Sequence, residues 1–414
     1  MMSVRELIRV FGPIGLLSFG GPAAQIALMH KELVEDRPWM TEDQFLRALS
    51  FCMLLPGPEA MQLATFAGWQ KRGTLGALIA GLLFVVPGAL VITGLALAYA
   101  QFGALPFVQA LFLGIKATVL VIVLQALWKV SHKALTSRLA WVLAGLAFIG
   151  LFAFDLPFPL LILSAGLVGW FGAPNAASAD LSPPKDVKTI QTVTVWLVLW
   201  LAPVAILAVL NPGFLSEIAR FFSVLAVVTF GGAYAVLAYM TQTVVQDFGW
   251  LSTPEMMDAL GLAETTPGPL ILVTQFVAML AGFKAGGIML SLAAGATALW
   301  VTFAPCFLWI FAGAPYVEWL SSQSKVAGAL RAITAAVVGV ILNLSLWFFL
   351  HVSFATLHLA EFGPLKVIWP DLTSVNWVVL ALTGVAAYLL IWRKWPLPVT
   401  LGLMALLGAA SNLV

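Results

Sequence analysis

Two tripeptides carry the clearest chemical signal in this sequence. Pro56-Gly57-Pro58 and Pro267-Gly268-Pro269 each interrupt an apolar stretch. Each proline removes a backbone donor, and the residue before a proline is pushed out of helical geometry, so a helix must break at each triplet. Gly57-Pro58 and Gly268-Pro269 have the form that starts a new helix. Such a start exposes unsatisfied amide N–H groups and about half a positive charge, which suits an anion. Glu59 follows at once, either neutralising the helix start or carrying a coupled proton. Gln62, Thr265, Thr266 and Gln275 offer donors to oxyanion oxygens, or bond the backbone instead. The pairs Gly20-Gly21 and Gly231-Gly232 permit an anion nest or close helix packing. Lys116 lies near the middle of an apolar run, too deep for easy snorkelling. An unpaired lysine there costs about 2.5–3.5 kcal/mol, so a partner is expected, and Glu59 at similar depth is the candidate. Lys116 then either supplies the counter-charge for a transported anion or forms a structural ion pair with Glu59.

The elements that hold these residues are membrane helices. The chain has 414 residues, of which 62% are hydrophobic and 9% charged, with a mean hydropathy of +1.02. A soluble domain carries roughly 25% charge, so too little polar surface exists to cover a water-soluble particle. A net charge of +2 excludes a nucleic-acid partner and leaves membrane lipid as the solvent. Spans are expected at 11–29, 43–69, 74–100, 106–128, 139–154, 157–172, 193–210, 219–240, 254–281, 286–313, 326–350, 376–392 and 396–412. Pro174, Asp180, Pro183, Pro184, Lys185, Asp186 and Lys188 forbid a span between the sixth and the seventh.

The halves repeat. Ser18-Phe19-Gly20-Gly21 recurs as Thr229-Phe230-Gly231-Gly232 at a spacing of 211, which also relates Trp39 to Trp250 and the two Pro-Gly-Pro triplets. Pro87 and Pro305, and Gln125 and Asn343, match at 218, as an insertion of seven residues would produce. The expected fold is all-α and polytopic, with about thirteen transmembrane helices arranged as six, one and six. The first repeat covers 1–172, a linker and extra helix 173–210, and the second repeat 211–414. The extra helix inverts the second copy. With the N-terminus inside and the C-terminus outside, Arg5, Arg9, Lys71, Arg72, Lys129, Lys133, Arg138, Lys185, Lys188, Arg393 and Lys394 fall on the cytoplasmic side. The loop 30–47, with Lys31, Arg37 and Arg47, is the exception to this charge bias.

Inverted repeats with interrupted helices are the plan of many secondary transporters, whose site lies near the midplane. Phe19-Gly20-Gly21-Pro22 with Trp39, then Leu54-Leu55-Pro56-Gly57-Pro58-Glu59-Ala60, Gln62-Leu63-Ala64 and Gly68-Trp69, resemble the chromate ion transporter family. Phe230-Gly231-Gly232 and Thr266-Pro267-Gly268-Pro269 fit its two-domain members, although Ala233 stands for Pro22 and Leu270 for Glu59. The resemblance implies a bacterial inner-membrane carrier, not an enzyme, that exports chromate and thereby confers chromate resistance, with sulfate as a related oxyanion; the charge placement above makes its C-terminus periplasmic. A coupling proton and a homodimer are compatible with it. An uncoupled anion channel is the alternative, and a membrane-embedded enzyme a weaker one. No phosphate-binding glycine loop is present, so ATP is not the direct energy source. Cys52, Cys306 and the four histidines show no ligand spacing, and neither a metal nor another cofactor is expected.

Overall fold

The computed structural model describes residues 2–19, 21–173, 188–210, 212–230, 233–321, 323–363 and 365–411. The linker residues Pro174, Asp180, Pro183, Pro184, Lys185 and Asp186 lie outside them. The helices are α1 (Val4–Leu17), α2 (Gly21–His30), α3 (Glu42–Leu54), α4 (Glu59–Phe102), α5 (Pro106–Ala134), α6 (Arg138–Phe154), α7 (Phe158–Gly172) and α8 (Thr189–Leu210). They continue with α9 (Phe214–Val228), α10 (Ala233–Gln242), α11 (Thr253–Thr265), α12 (Val273–Gly313), α13 (Val317–Ser321) and α14 (Ser324–Ser353). A β-hairpin, β1 (Leu357–Phe362) and β2 (Leu365–Pro370), precedes α15 (Trp377–Ala387) and α16 (Leu397–Ser411). Five long helical stretches and four shorter apolar helices have membrane character. The chain folds as two compact units, one of residues 1–100, 174–233 and 266–326, the other of 101–173, 234–265 and 327–414.

In the first unit the expected spans 11–29 and 43–69 prove to be hairpins. Thr41 caps α3 in a reciprocal capping box with Gln44. Beyond α3, however, the rings of Phe51 and Phe66 are 6.2 Å apart, whereas a straight helix between them would be about 22 Å long. The chain therefore doubles back at Pro56-Gly57-Pro58. Gly57, at φ +116°, makes the reversal. Likewise Phe11 meets Trp39 at 6.1 Å across the break between α1 and α2, while residues 11–30 as one helix would extend about 28 Å. Each arm of the second hairpin is near 20 Å long, too short to cross a hydrocarbon core of about 30 Å.

Both hairpins open on the side where α4 is interrupted, at Arg72 and Gly73. Arg72 Nη1 donates to Met2 O at 2.8 Å, fixing the start of α1 at that end. The chain then returns on itself, with Gly68 packed against Gly76. Pro87 cannot bond the carbonyl of Leu83, and α1 lays Gly15 directly on that carbonyl, 1.9 Å from where a Cβ would be. At the hairpins' base, His30 Nε2 pairs with Glu42 at 2.6 Å and Nδ1 with Glu35 at 3.0 Å. The hydrogen bond to Glu42 leads the carboxylate contacts that hold this surface histidine above its usual pKa.

In the second unit α16 lies on α5, where a Cβ on Gly114 would fall 1.7 Å from Met404 O. α14 similarly receives α6 at Gly339 and α7 at Gly328, the close backbone approach that small residues allow between membrane helices. Gln242 Nε2 donates to Asp155 Oδ1. The thirteen-span scheme put residues 155 and 242 on opposite faces, so this bond corrects it. The fold is all-α as expected, and a single two-stranded β-hairpin is the exception among the described residues. Its strands pair antiparallel from Leu357↔Pro370 to Phe362↔Leu365 around Gly363 at φ +65°, and Lys366 reaches Asp155 at 3.6 Å.

Candidate functional site

The two Pro-Gly-Pro triplets belong to the first unit, and their backbone is spoken for. Gly57 N–H donates to Thr229 O at 2.9 Å, and Gly268 N–H donates to Ser18 O at 2.9 Å. These ties are related by the same 211-residue spacing that relates the motifs. Each triplet also rests on a long helix near a proline. A Cβ on Gly88 would lie 2.3 Å from Pro267 O, and one on Gly57 would lie 2.9 Å from Cys306 Sγ. Irregular backbone at membrane depth survives only when protein covers it, and Pro56, Pro267, Gly268 and Pro269 are buried while Pro58 is half-buried. The two glycine amides thus hold the triplets in place.

The expected side-chain donors are also engaged within the protein. Gln62 Nε2 donates to Pro56 O at 2.7 Å. Gln275 Nε2 donates to Ala89 O at 3.0 Å and to Thr93 Oγ1 at 2.8 Å. Thr265 Oγ1 donates to Leu262 O at 2.8 Å, and Thr266 is buried. Gln62 and Gln275 each bury an Oε1 that has no hydrogen-bond partner among the described residues. Glu59 is half-buried at the start of α4, but its counterpart start is a buried turn, Leu270–Leu272. The two helix starts are therefore not equivalent. Gly21 has φ +78° and open space beside it, so it serves the turn into α2 rather than helix packing. Gly20, Gly231 and Gly232 lie outside the described residues.

The second unit holds the charged site. Lys116, on α5, places Nζ 2.9 Å from Asp258 Oδ1 on α11. Lys116 is 8% exposed and Asp258 0%. The expected partner Glu59 is corrected to Asp258. The short aspartate reaches because Gly261 lets α11 approach α5: a Cβ there would meet Ile115 Cγ2 at 2.7 Å. Further along α11, Glu264 is 6% exposed and accepts from Tyr234 Oη at 3.0 Å. Sequence reasoning passed over Asp258, Glu264 and Tyr234, although both acids lay inside the expected span 254–281. Ionisable residues within a membrane segment are costly enough to mark a site, and that rule would have found them. A separate cavity of about 550 Å³ beneath the β-hairpin is lined by Asp155, Asp247, Lys366 and Trp347, and by none of the expected residues. Among the described residues no group of His, Cys, Asp and Glu is arranged to hold a metal.

Lys116 and Asp258 thus form a buried, charge-balanced ion pair within a polytopic protein. Over residues 5–170, and again over 216–409, the sequence matches the family described as chromate transporter. The chain belongs to the chromate transporter family. It is 33% identical to a chromate transport protein of Pseudomonas aeruginosa, across 82% of this chain and 80% of that one. It is 30% identical to a probable chromate transport protein of Synechococcus elongatus, across 82% and 83%. A chromate transport protein of Cupriavidus metallidurans is 29% identical, across 82% and 81%. No solved structure matches the chain. Family membership makes this a multi-pass membrane transporter rather than an enzyme.

Proposed function

We propose that this protein is a secondary transporter that exports chromate, and related tetrahedral oxyanions such as sulfate, across the bacterial inner membrane. The observation that carries the reading is Lys116, a cation in the interior of an apolar helix with Asp258 as its counter-ion. A dianion leaving water needs a fixed positive charge, and Lys116 supplies it. The Pro-Gly-Pro hairpins act as the scaffold, through the ties at Gly57 and Gly268. Everted vesicles carrying the protein should take up labelled chromate saturably, with competition from sulfate and molybdate. Non-saturable conductance would identify a channel, and no uptake of any of the three anions would overturn the reading.

The hairpins support a revised topology within the inverted repeat. The five long and four shorter apolar helices make nine crossings, with re-entrant hairpins at the start of each copy. The parity is unchanged, so the N-terminus stays inside and the C-terminus outside. Under this count Lys31, Arg37 and Arg47 move to the cytoplasmic side and the exception in the charge bias disappears. Lys325, Arg331, Arg393 and Lys394 join them, leaving Arg220, Lys284 and Lys366 outside and Lys116 within. The native cysteines Cys52 and Cys306 are buried, so single introduced cysteines can be read out. Asp36→Cys should resist an impermeant thiol reagent in intact cells and react after permeabilisation, whereas Asp371→Cys should react at once. Labelling of Asp36→Cys from outside would restore 11–29 as a crossing helix.

A further inference from the structure

The Lys116–Asp258 pair poses a question that transport alone does not answer: a substrate cannot use Lys116 while a carboxylate holds it. Nζ and Oδ1 are at full contact, 2.9 Å, the spacing at which an ammonium also meets an oxyanion oxygen. α5 brings Lys116 together with Ile115 and Val119 near Gly261. α16 also packs on α11 and has no ionisable residue between Leu397 and Ser411. α10 brings Tyr234, bonded to Glu264, which lies six residues beyond Asp258 on the same helix.

We propose that Asp258 occupies Lys116 as an internal stand-in for the substrate, and that the arriving oxyanion displaces it and leaves it to take up a proton. This rests on the transport reading above and adds the coupling step to it. A dianion and an ionised carboxylate beside one ammonium would leave two uncompensated negative charges in a site of low dielectric. Protonation of Asp258 removes one of them. On binding, the Asp258 carboxylate releases Lys116 and gains one proton from water, and the anion takes its place. On release, the carboxylic acid gives that proton back to water and the ion pair re-forms. One proton then moves with each dianion, in the same direction, and the net charge carried is one negative. An inside-negative membrane potential favours outward movement of that charge.

The test uses the purified full chain in liposomes, with sulfate and chromate as probes and a pH-sensitive dye in the lumen. In the wild type, anion influx acidifies the lumen with one proton per anion. Asp258→Asn removes the competitor, so it should bind both anions about tenfold more tightly if the pair is closed in about nine molecules of ten, and its anion flux should no longer acidify the lumen. Asp258→Glu keeps a titrating carboxylate and should keep the acidification. Acidification that persists in Asp258→Asn, or an unchanged affinity in that variant, would leave the pair a purely structural one. If Asp258→Asn does not fold, the wild type still decides: anion flux without proton flux overturns the proposal. A wild type that neither binds nor moves either anion would instead refute the transport reading.

Discussion

Lys116→Met alone is expected to deplete the protein from the membrane, and a second substitution at Asp258 to bring it back without restoring transport. The single change strands a carboxylate that is 0% exposed. Removing one partner of a buried ion pair costs about 3–5 kcal/mol, whereas replacing both with apolar residues is often neutral. A loss of that size is a large part of the stability of a typical domain. Lys116→Met with Asp258→Leu should therefore recover near wild-type abundance by quantitative blotting, while chromate uptake stays at background because the anion has lost its counter-charge. Lys116→Met with Glu59→Gln should remain depleted, since Glu59 is not the partner of Lys116. Chromate transport at near wild-type rate in the Lys116→Met, Asp258→Leu protein would reduce Lys116 to a structural role.

The breaks at Pro56-Gly57-Pro58 and Pro267-Gly268-Pro269 were legible in the sequence because proline chemistry is local. Their sense was not: arms of this length suit a broken span and a hairpin equally. The choice lies in Gly57's positive φ and in Phe51 packing on Phe66, a contact that helical periodicity does not encode. Lys116 was legible as a deep cation, but its partner was misassigned because depth along the sequence does not say which helix lies opposite. The donor groups of Gln62, Thr265 and Gln275 were legible as polar residues in apolar helices. Gln62 and Thr265 are claimed by nearby carbonyls, whereas the bonds of Gln275 to Ala89 O and Thr93 Oγ1 depend on tertiary contacts. The β-hairpin had a local signal, with Val367 and Ile368 in β2 and Gly363 at the turn, which an all-helical expectation obscured.

Gly88 is where the scaffold is expected to be least tolerant. Inside a helix, glycine is about 1 kcal/mol worse than alanine, so propensity alone makes Gly88→Ala stabilising. The structure reverses the sign. A Cβ at Gly88 would stand 2.3 Å from Pro267 O and 2.6 Å from Leu272 Cδ1. The leucine end can swing aside, but the carbonyl belongs to a triplet anchored by Gly268 N–H on Ser18 O. Overpacking a fixed contact costs about 1–3 kcal/mol, so Gly88→Ala should lower the unfolding temperature in detergent and Gly88→Leu should prevent recovery of folded protein. Gly94, in the same helix, has nothing within 4 Å of its Cβ position, and Gly94→Leu is the control that should leave the unfolding temperature close to wild type. Equal stabilisation by Gly88→Ala and Gly94→Ala would mean that Pro267 stands clear of α4 and that the triplet is not braced there.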